Sequence, residues 1–255
     1  MGLFSKKKVK ANIDSFPPIG GLMVSKIVTE ERKKPMFMYR EKRSRPEDSG
    51  WRIYSGLESK KQNSNPANFD IYHPSTILAI DPSIAEILLK GGFGSVFERK
   101  AEKSPWYKVS DYPLADDYMV KHRLTDKWEL EINNLFERRK EENGDLLYTT
   151  GDKSLRLTIW NHDNRTKADL YEEYKQIVTH RDESRAKTLK IVDFSDEKVA
   201  RTGYMIKESD ERKEYSVIYG FSIIDNQVLL GVLYFDEEED LTWAVETWKG
   251  IKLIG

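Results

Sequence analysis

Residues 214–235 read EYSVIYGFSIIDNQVLLGVLYF. Two runs rich in β-branched and aromatic residues, Glu214 to Ile224 and Gln227 to Phe235, flank Asp225-Asn226, a pair suited to a tight turn. The stretch therefore predicts a long antiparallel hairpin, and Val199 to Ile206 reads as a third strand beside it. Downstream, a helix is expected behind Asp240, with Leu241, Ala244, Val245 and Trp248 on its buried face and a stop at Gly250. Upstream, Leu170, Tyr174, Ile177 and Val178 fall at i, i+4, i+7 and i+8, the stripe of a longer helix with Asp163 or Asn164 as its cap. Before that helix come Asp145 to Thr150 and Leu155 to Trp160, a hairpin around Gly151-Asp152, and an alternating run from Trp128 to Ile132. Strands, helix, strands, helix is the order of an α+β domain, an antiparallel sheet with helices packed on it.

The first half reads the same way on a smaller scale. Leu22 to Val28, Pro35 to Tyr39 and Trp51 to Tyr54 are short apolar runs expected as strands, separated by polar loops at 41–50 and 60–68. Asp81-Pro82 is an N-cap followed by proline at the first helical position. Ile84, Ile87 and Leu88 supply a buried stripe, and Gly91 reads as a left-handed stop. Ser95 to Arg99 closes the unit. Residues 1–18 lack periodicity and are expected to form a flexible basic leader, and 101–124, with Pro105 and Pro113, a linker. The resulting organisation is a leader at 1–18, an α+β domain at 19–100, a linker at 101–124 and a second α+β domain at 125–255.

Charge divides along the same line. Through Ser110 there are 20 Lys and Arg against 12 Asp and Glu, and from Asp111 onward 22 against 31, within a chain whose net charge is -1. Such asymmetry implies two faces of opposite potential or two mutually attracting domains. Four of the first half's cations (Lys6, Lys7, Lys8, Lys10) lie in the leader, which weighs against a nucleic-acid surface. The chain has no cysteine, which excludes disulfides, thiolate metal sites and a cysteine nucleophile. No apolar run approaches the ~18–20 residues of a membrane span. Met1 to Lys10 lacks the apolar segment of a secretory signal, so a cytoplasmic location is expected.

The residues show no catalytic constellation. His73, His122, His162 and His180 are scattered without ligand spacing, and Gly91-Gly92-Phe93-Gly94-Ser95 lacks the Gly-Lys-Ser/Thr ending of a phosphate loop. Trp160-Asn161-His162-Asp163 and the acidic run Asp236 to Asp240 are accounted for as helix starts. No catalytic residue, cofactor or metal is therefore assigned. The remaining candidate is the basic loop with Arg40, Lys42, Arg43 and Arg45, beside Trp51 and Arg52, as a partner contact. Asp48 is expected to fix that loop by accepting hydrogen bonds from the following backbone N–H groups.

Between Gly21 and Arg99 the chain resembles a bacterial domain family, first described as of unknown function and later grouped among polymorphic-toxin immunity proteins. The carriers are Met23-Val24-Ser25-Lys26, Phe37-Met38-Tyr39-Arg40-Glu41, Asp48-Ser49-Gly50-Trp51-Arg52, Ser55-Gly56, Asp81-Pro82-Ser83-Ile84 and Phe97-Glu98-Arg99. The resemblance implies a small α+β domain that binds and neutralises a toxin without catalysis. Family members follow the Ser-Gly step with acidic residues, where this chain has Leu57 and Lys60-Lys61. The second half resembles the PsbP-like fold through Phe136-Glu137-Arg138, the Leu155 to Trp160 strand, the Tyr215 to Tyr234 hairpin and the helix ending in Trp248.

The expected function is a non-enzymatic immunity or interaction protein with a protein toxin as partner, using Arg43, Arg45, Trp51 and Arg52 as contact residues. Two alternatives stay open at this level. One is a hydrolase-like enzyme assembled from distant Asp, Glu and His. The other is a nucleic-acid-associated regulator. The oligomeric state is not legible in the sequence.

Overall fold

The computed structural model describes residues 16–209 and 213–254. The basic stretch Met1 to Lys10, and with it most of the expected leader, lies outside the described residues. The chain divides into two compact units, one ending at Leu114 and the other beginning at Ala115. Among the described residues no helix is long and apolar enough to cross a membrane. Both units are α+β and mainly antiparallel.

The first unit comprises β1 (Gly21–Ser25), α1 (Lys26–Thr29), β2 (Phe37–Arg40), β3 (Asp48–Tyr54), α2 (Lys60–Asn63), β4 (Phe69–Tyr72), α3 (Pro74–Leu78), α4 (Ala85–Lys90), β5 (Val96–Glu98) and β6 (Tyr107–Lys108). Its sheet runs β4-β1-β3-β2-β5-β6, and only the β1–β3 pair is parallel. The apolar run from Leu22 ends as a strand at Ser25, whose hydroxyl accepts the Ile27 N–H at 3.3 Å and starts α1. Asp81 caps the turn leading into α4, accepting from the Ser83 N–H at 3.0 Å. On one sheet face Leu22, Val24, Met38, Trp51 and Ile53 pack against Ile77, Leu78, Ile84 and Leu88 of the helical layer.

Gly91 ends α4 for a reason different from the one expected. Its φ of -69° is not left-handed. Instead, a Cβ there would lie 2.8 Å from the Trp51 ring, so the glycine makes room for the indole.

The second unit comprises β7 (Met119–Arg123), β8 (Trp128–Asn133), β9 (Glu137–Lys140), β10 (Leu146–Thr149), β11 (Ser154–Asn161), α5 (Lys167–Thr179), β12 (Thr188–Asp193), β13 (Ala200–Ser209), β14 (Glu214–Ile224), β15 (Gln227–Phe235), α6 (Leu241–Lys249) and β16 (Ile251–Leu253). Seven strands form one sheet in the order β12-β13-β14-β15-β11-β10-β9, and β16-β8-β7 form a second. The β14–β15 hairpin turns at Asp225-Asn226, with Ile224 opposite Gln227 and Asp225 at φ 43°. The residues read as a linker carry strand pairings at both ends, β6 in the first unit's sheet and β7 in the small sheet.

Helix α5 begins two residues later than expected. Thr166 caps it in a box with Asp169, so neither Asp163 nor Asn164 does. Leu170 and Val178 seat α5 on Phe221, Ile223 and Val228 of the large sheet, whereas Ile177, expected on the same stripe, is exposed because it lies to the side of that contact. The opposite face carries α6 and the main core, with Trp128, Leu130, Leu155, Leu233 and Trp248 all fully buried. Gly203 and Gly220 are cross-strand neighbours on β13 and β14. A Cβ would come within 2.8 Å of the Trp248 ring at Gly203 and 2.4 Å at Gly220, so the ring lies directly on backbone. Its indole N–H donates to Ser222 Oγ at 3.0 Å.

Gly220→Ala is expected to overpack that contact and lower stability by ~1–3 kcal/mol in thermal denaturation. Gly231→Ala, whose Cβ would meet nothing closer than 3.5 Å, serves as the near-neutral control. If the units fold independently, limited proteolysis is expected to cut between Pro113 and Asp117 and leave two protected fragments. Resistance throughout, with one cooperative transition, would overturn that reading.

Candidate protein-binding face

Two buried guanidinium groups set the geometry of the first unit. Arg52, 6% exposed, donates to Asp48 through two N–H groups at 2.9 and 2.7 Å and to Glu41 at 2.7 Å. Asp48 also accepts the Gly50 N–H at 2.9 Å, and Gly50 holds a φ of +82° that a side chain would strain. Burial opposes ionisation of Asp48, but the Arg52 and Gly50 hydrogen bonds and the positive charges of Arg52 and Arg45 outweigh it. The carboxyl therefore titrates below its ordinary range. The second group, Arg99, pairs with Asp81 inside the unit and donates to the Pro35 carbonyl at 2.8 Å and the Glu102 carbonyl at 2.8 Å.

Strand alternation divides the sheet's side chains. Met38, Trp51 and Ile53 face the helices, whereas Phe37, Tyr39, Arg52 and Tyr54 point the other way, paired Phe37 with Tyr54 and Tyr39 with Arg52. On this outer face Tyr39 and Tyr54 stack at 5.9 Å between centroids, with their hydroxyls 3.3 Å apart. Phe69 meets Tyr54 edge-on at 5.4 Å, and Tyr112 folds over Phe37 and Tyr39 at 5.1 and 5.3 Å. Burial, then the Tyr54 hydroxyl, pushes the Tyr39 phenol far above its ordinary value. Ile71 on the edge strand β4 pairs with Met23 on the same face and is 74% exposed. The result is a half-exposed aromatic surface with polar hydroxyls at its centre and an apolar edge.

The four expected contact residues do not act together. Trp51 is fully buried and Arg52 nearly so, which corrects their expected role as surface anchors: both support the face from within. Arg45 is exposed and Arg43 half-buried. Arg40, from the same basic stretch, donates to the Ser49 carbonyl at 2.9 Å and the Gly91 carbonyl at 2.6 Å, binding the strand bend to the end of α4. Asp48 accepts from the backbone as expected. The Tyr39, Tyr54, Phe69, Ile71 and Tyr112 surface went unread in the sequence, although Phe37-Met38-Tyr39 alternation was a signal for it. The histidines lie apart, with His73 capping α3 and His180 ending α5.

The first unit thus has a sheet with one face covered by helices and one aromatic face, held by internal arginine clamps and bordered by a basic loop. Residues 22–110, within the first unit, match the family model of the immunity protein Imm33 domain. The match runs past Arg99 and takes in β6. No curated protein matches the chain. Among solved structures, the chain is similar to PsbP (CyanoP) of Synechocystis at 10% identity, covering 56% of this chain and 96% of that one with a TM-score of 0.41. A protein of Bacteroides thetaiotaomicron aligns at 10% identity over 50% of this chain and 45% of its own, TM-score 0.37. The Saccharomyces cerevisiae Ran-binding protein Mog1p aligns at 7% identity over 52% and 84%, TM-score 0.32.

Replacing Asp48 by asparagine is expected to lower stability by ~1.5–3 kcal/mol, the range for a hydrogen bond to a charged group. Because the carboxyl's folded pKa is depressed, its stabilisation is present above its unfolded value of ~3.9 and is lost as pH falls through the lower folded value. Asp48→Asn should therefore flatten the acid limb of a pH–Tm profile. An unchanged profile would show that the clamp contributes nothing.

Proposed function

We propose that this chain is a non-enzymatic immunity protein that binds a protein toxin and neutralises it by covering the toxin's working surface. The observation that carries the reading is the coincidence of the Imm33 match with an aromatic sheet face that the unit's own helices leave uncovered. Protein interfaces of standard size bury about 1,600 Å², are centred on aromatic and arginine anchors, and need no reacting group. Tyr39, Tyr54 and Tyr112 offer rigid area with polar tips, and Ile71 an apolar edge. Arg43 and Arg45 in the adjoining loop act by charge steering, so the partner's matching rim is acidic. We take its compartment to be the cytoplasm, in keeping with a chain without cysteine.

Affinity purification from the native host with mass spectrometry identifies the partner. Growth rescue on co-expression with it then tests the reading. The wild-type chain is expected to protect, whereas Tyr112→Asp combined with Ile71→Asp, both at exposed positions, should abolish protection and weaken binding about thirtyfold or more, a hot-spot loss of ~2 kcal/mol. Arg43→Ala with Arg45→Ala should slow association and flatten its salt dependence. Full protection by the face variant, or a partner that is nucleic acid, would overturn the proposal.

A further inference from the structure

The second unit has an opening into its main core that the immunity reading does not use. A pocket of about 370 Å³ lies where the free edge of the large sheet meets the start of α6. Its floor is Met205, Phe235 and Leu241, side chains continuous with the main core, and Leu189 stands at its side. Strand β12 is an edge strand whose register shifts between Thr188 and Lys190, and the irregularity brings Leu189 beside Met205. Leu189 is 55% exposed and Ile191, two residues on, 48%.

The rim has the opposite chemistry. Glu214, Asp236 and Glu238 border the pocket against Lys207. Asp236 and Glu238 belong to the five-carboxylate run Asp236 to Asp240, within which Asp236 pairs with Lys213 and Asp240 with Lys153. From Ala115 onward the chain has 22 Lys and Arg against 30 Asp and Glu, so this unit carries a net negative charge.

We infer that this pocket is a second docking site, taking a basic, extended segment of a partner protein that inserts one leucine-sized apolar side chain. The apolar floor accepts the side chain, the carboxylate rim selects flanking lysine or arginine, and β12, whose outer side pairs with no strand among the described residues, offers an edge along which an extended backbone can lie. The inference stands apart from the immunity reading, because the occupant is basic and the site lies on the other unit.

The test uses the full-length protein and two synthetic, end-blocked peptides, Lys-Leu-Lys-Leu-Lys and Glu-Leu-Glu-Leu-Glu, followed by backbone amide NMR at low salt. The basic peptide is expected to produce saturable shifts at Leu189, Ser216 and Leu241 that weaken as salt is raised, and the acidic peptide none. Glu214→Lys with Glu238→Lys, at exposed positions, should weaken binding about tenfold or more, as should Leu189→Asn, with the remaining spectrum unchanged. Absent shifts, shifts clustered elsewhere, equal response to both peptides, or binding that survives the charge reversal would each overturn the proposal. None of these results touches the first unit, where loss of protection by the Tyr112 and Ile71 variant is read separately.

Discussion

A tryptophan can lie flat against backbone only where no Cβ lifts it away, and both units are arranged around that constraint. Trp248 anchors α6 by resting on Gly203 and Gly220, with its one polar atom satisfied by Ser222. The position of α6 in turn sets β16, which follows it directly and pairs with β8 to build the small sheet. In the first unit the relation is reversed: Trp51 lies on the sheet and Gly91 opens the end of α4 to receive it. A large ring in close contact gains many dispersion contacts at once, whereas a shift of a few tenths of an ångström forfeits much of that gain. The glycines are therefore as determining as the tryptophans.

Several of the residues that carry the family resemblance hold the fold from within, whereas Phe37 and Tyr39, also among them, lie on the outer sheet face. Asp48, Arg52 and Glu41 close one clamp within the β2–β3 hairpin, and Arg99 closes another by pairing with Asp81 and reaching the Pro35 carbonyl 64 residues away. Removing one partner of such a pair leaves a buried charge uncompensated. Their functional effect is indirect. By holding the bend at Ser49-Gly50 and the end of β5, they keep Phe37, Tyr39 and Tyr54 in register on the open face.

The opposite charges of the two units acquire meaning through what lies beside them. A basic loop adjoins an aromatic face in the first unit, and an acidic rim surrounds an apolar pocket in the second. Charged and apolar side chains adjoin in both places, the composition that protein interfaces combine for steering and burial.

Much of the architecture was legible in the chain alone. The hairpin at 214–235, the existence of α5, the closing helix with Trp248 and the Asp81-Pro82 start are local patterns, fixed by side-chain period, turn chemistry and capping within a few residues. The edge elements β4, β9, β12 and β16 were not legible, because short charged or mixed strands form only when a neighbouring strand offers them partners. Trp51 and Arg52 illustrate the same limit at the candidate site. Adjacent residues on a strand point to opposite faces, so composition marked both as anchors, whereas packing sent one into the core and closed carboxylates around the other. The sequence determined which segments become strands and helices. Tertiary structure alone decided which strand face the helices cover, and hence which aromatic residues remain for a partner, because burial depends on contacts between segments that no local pattern records.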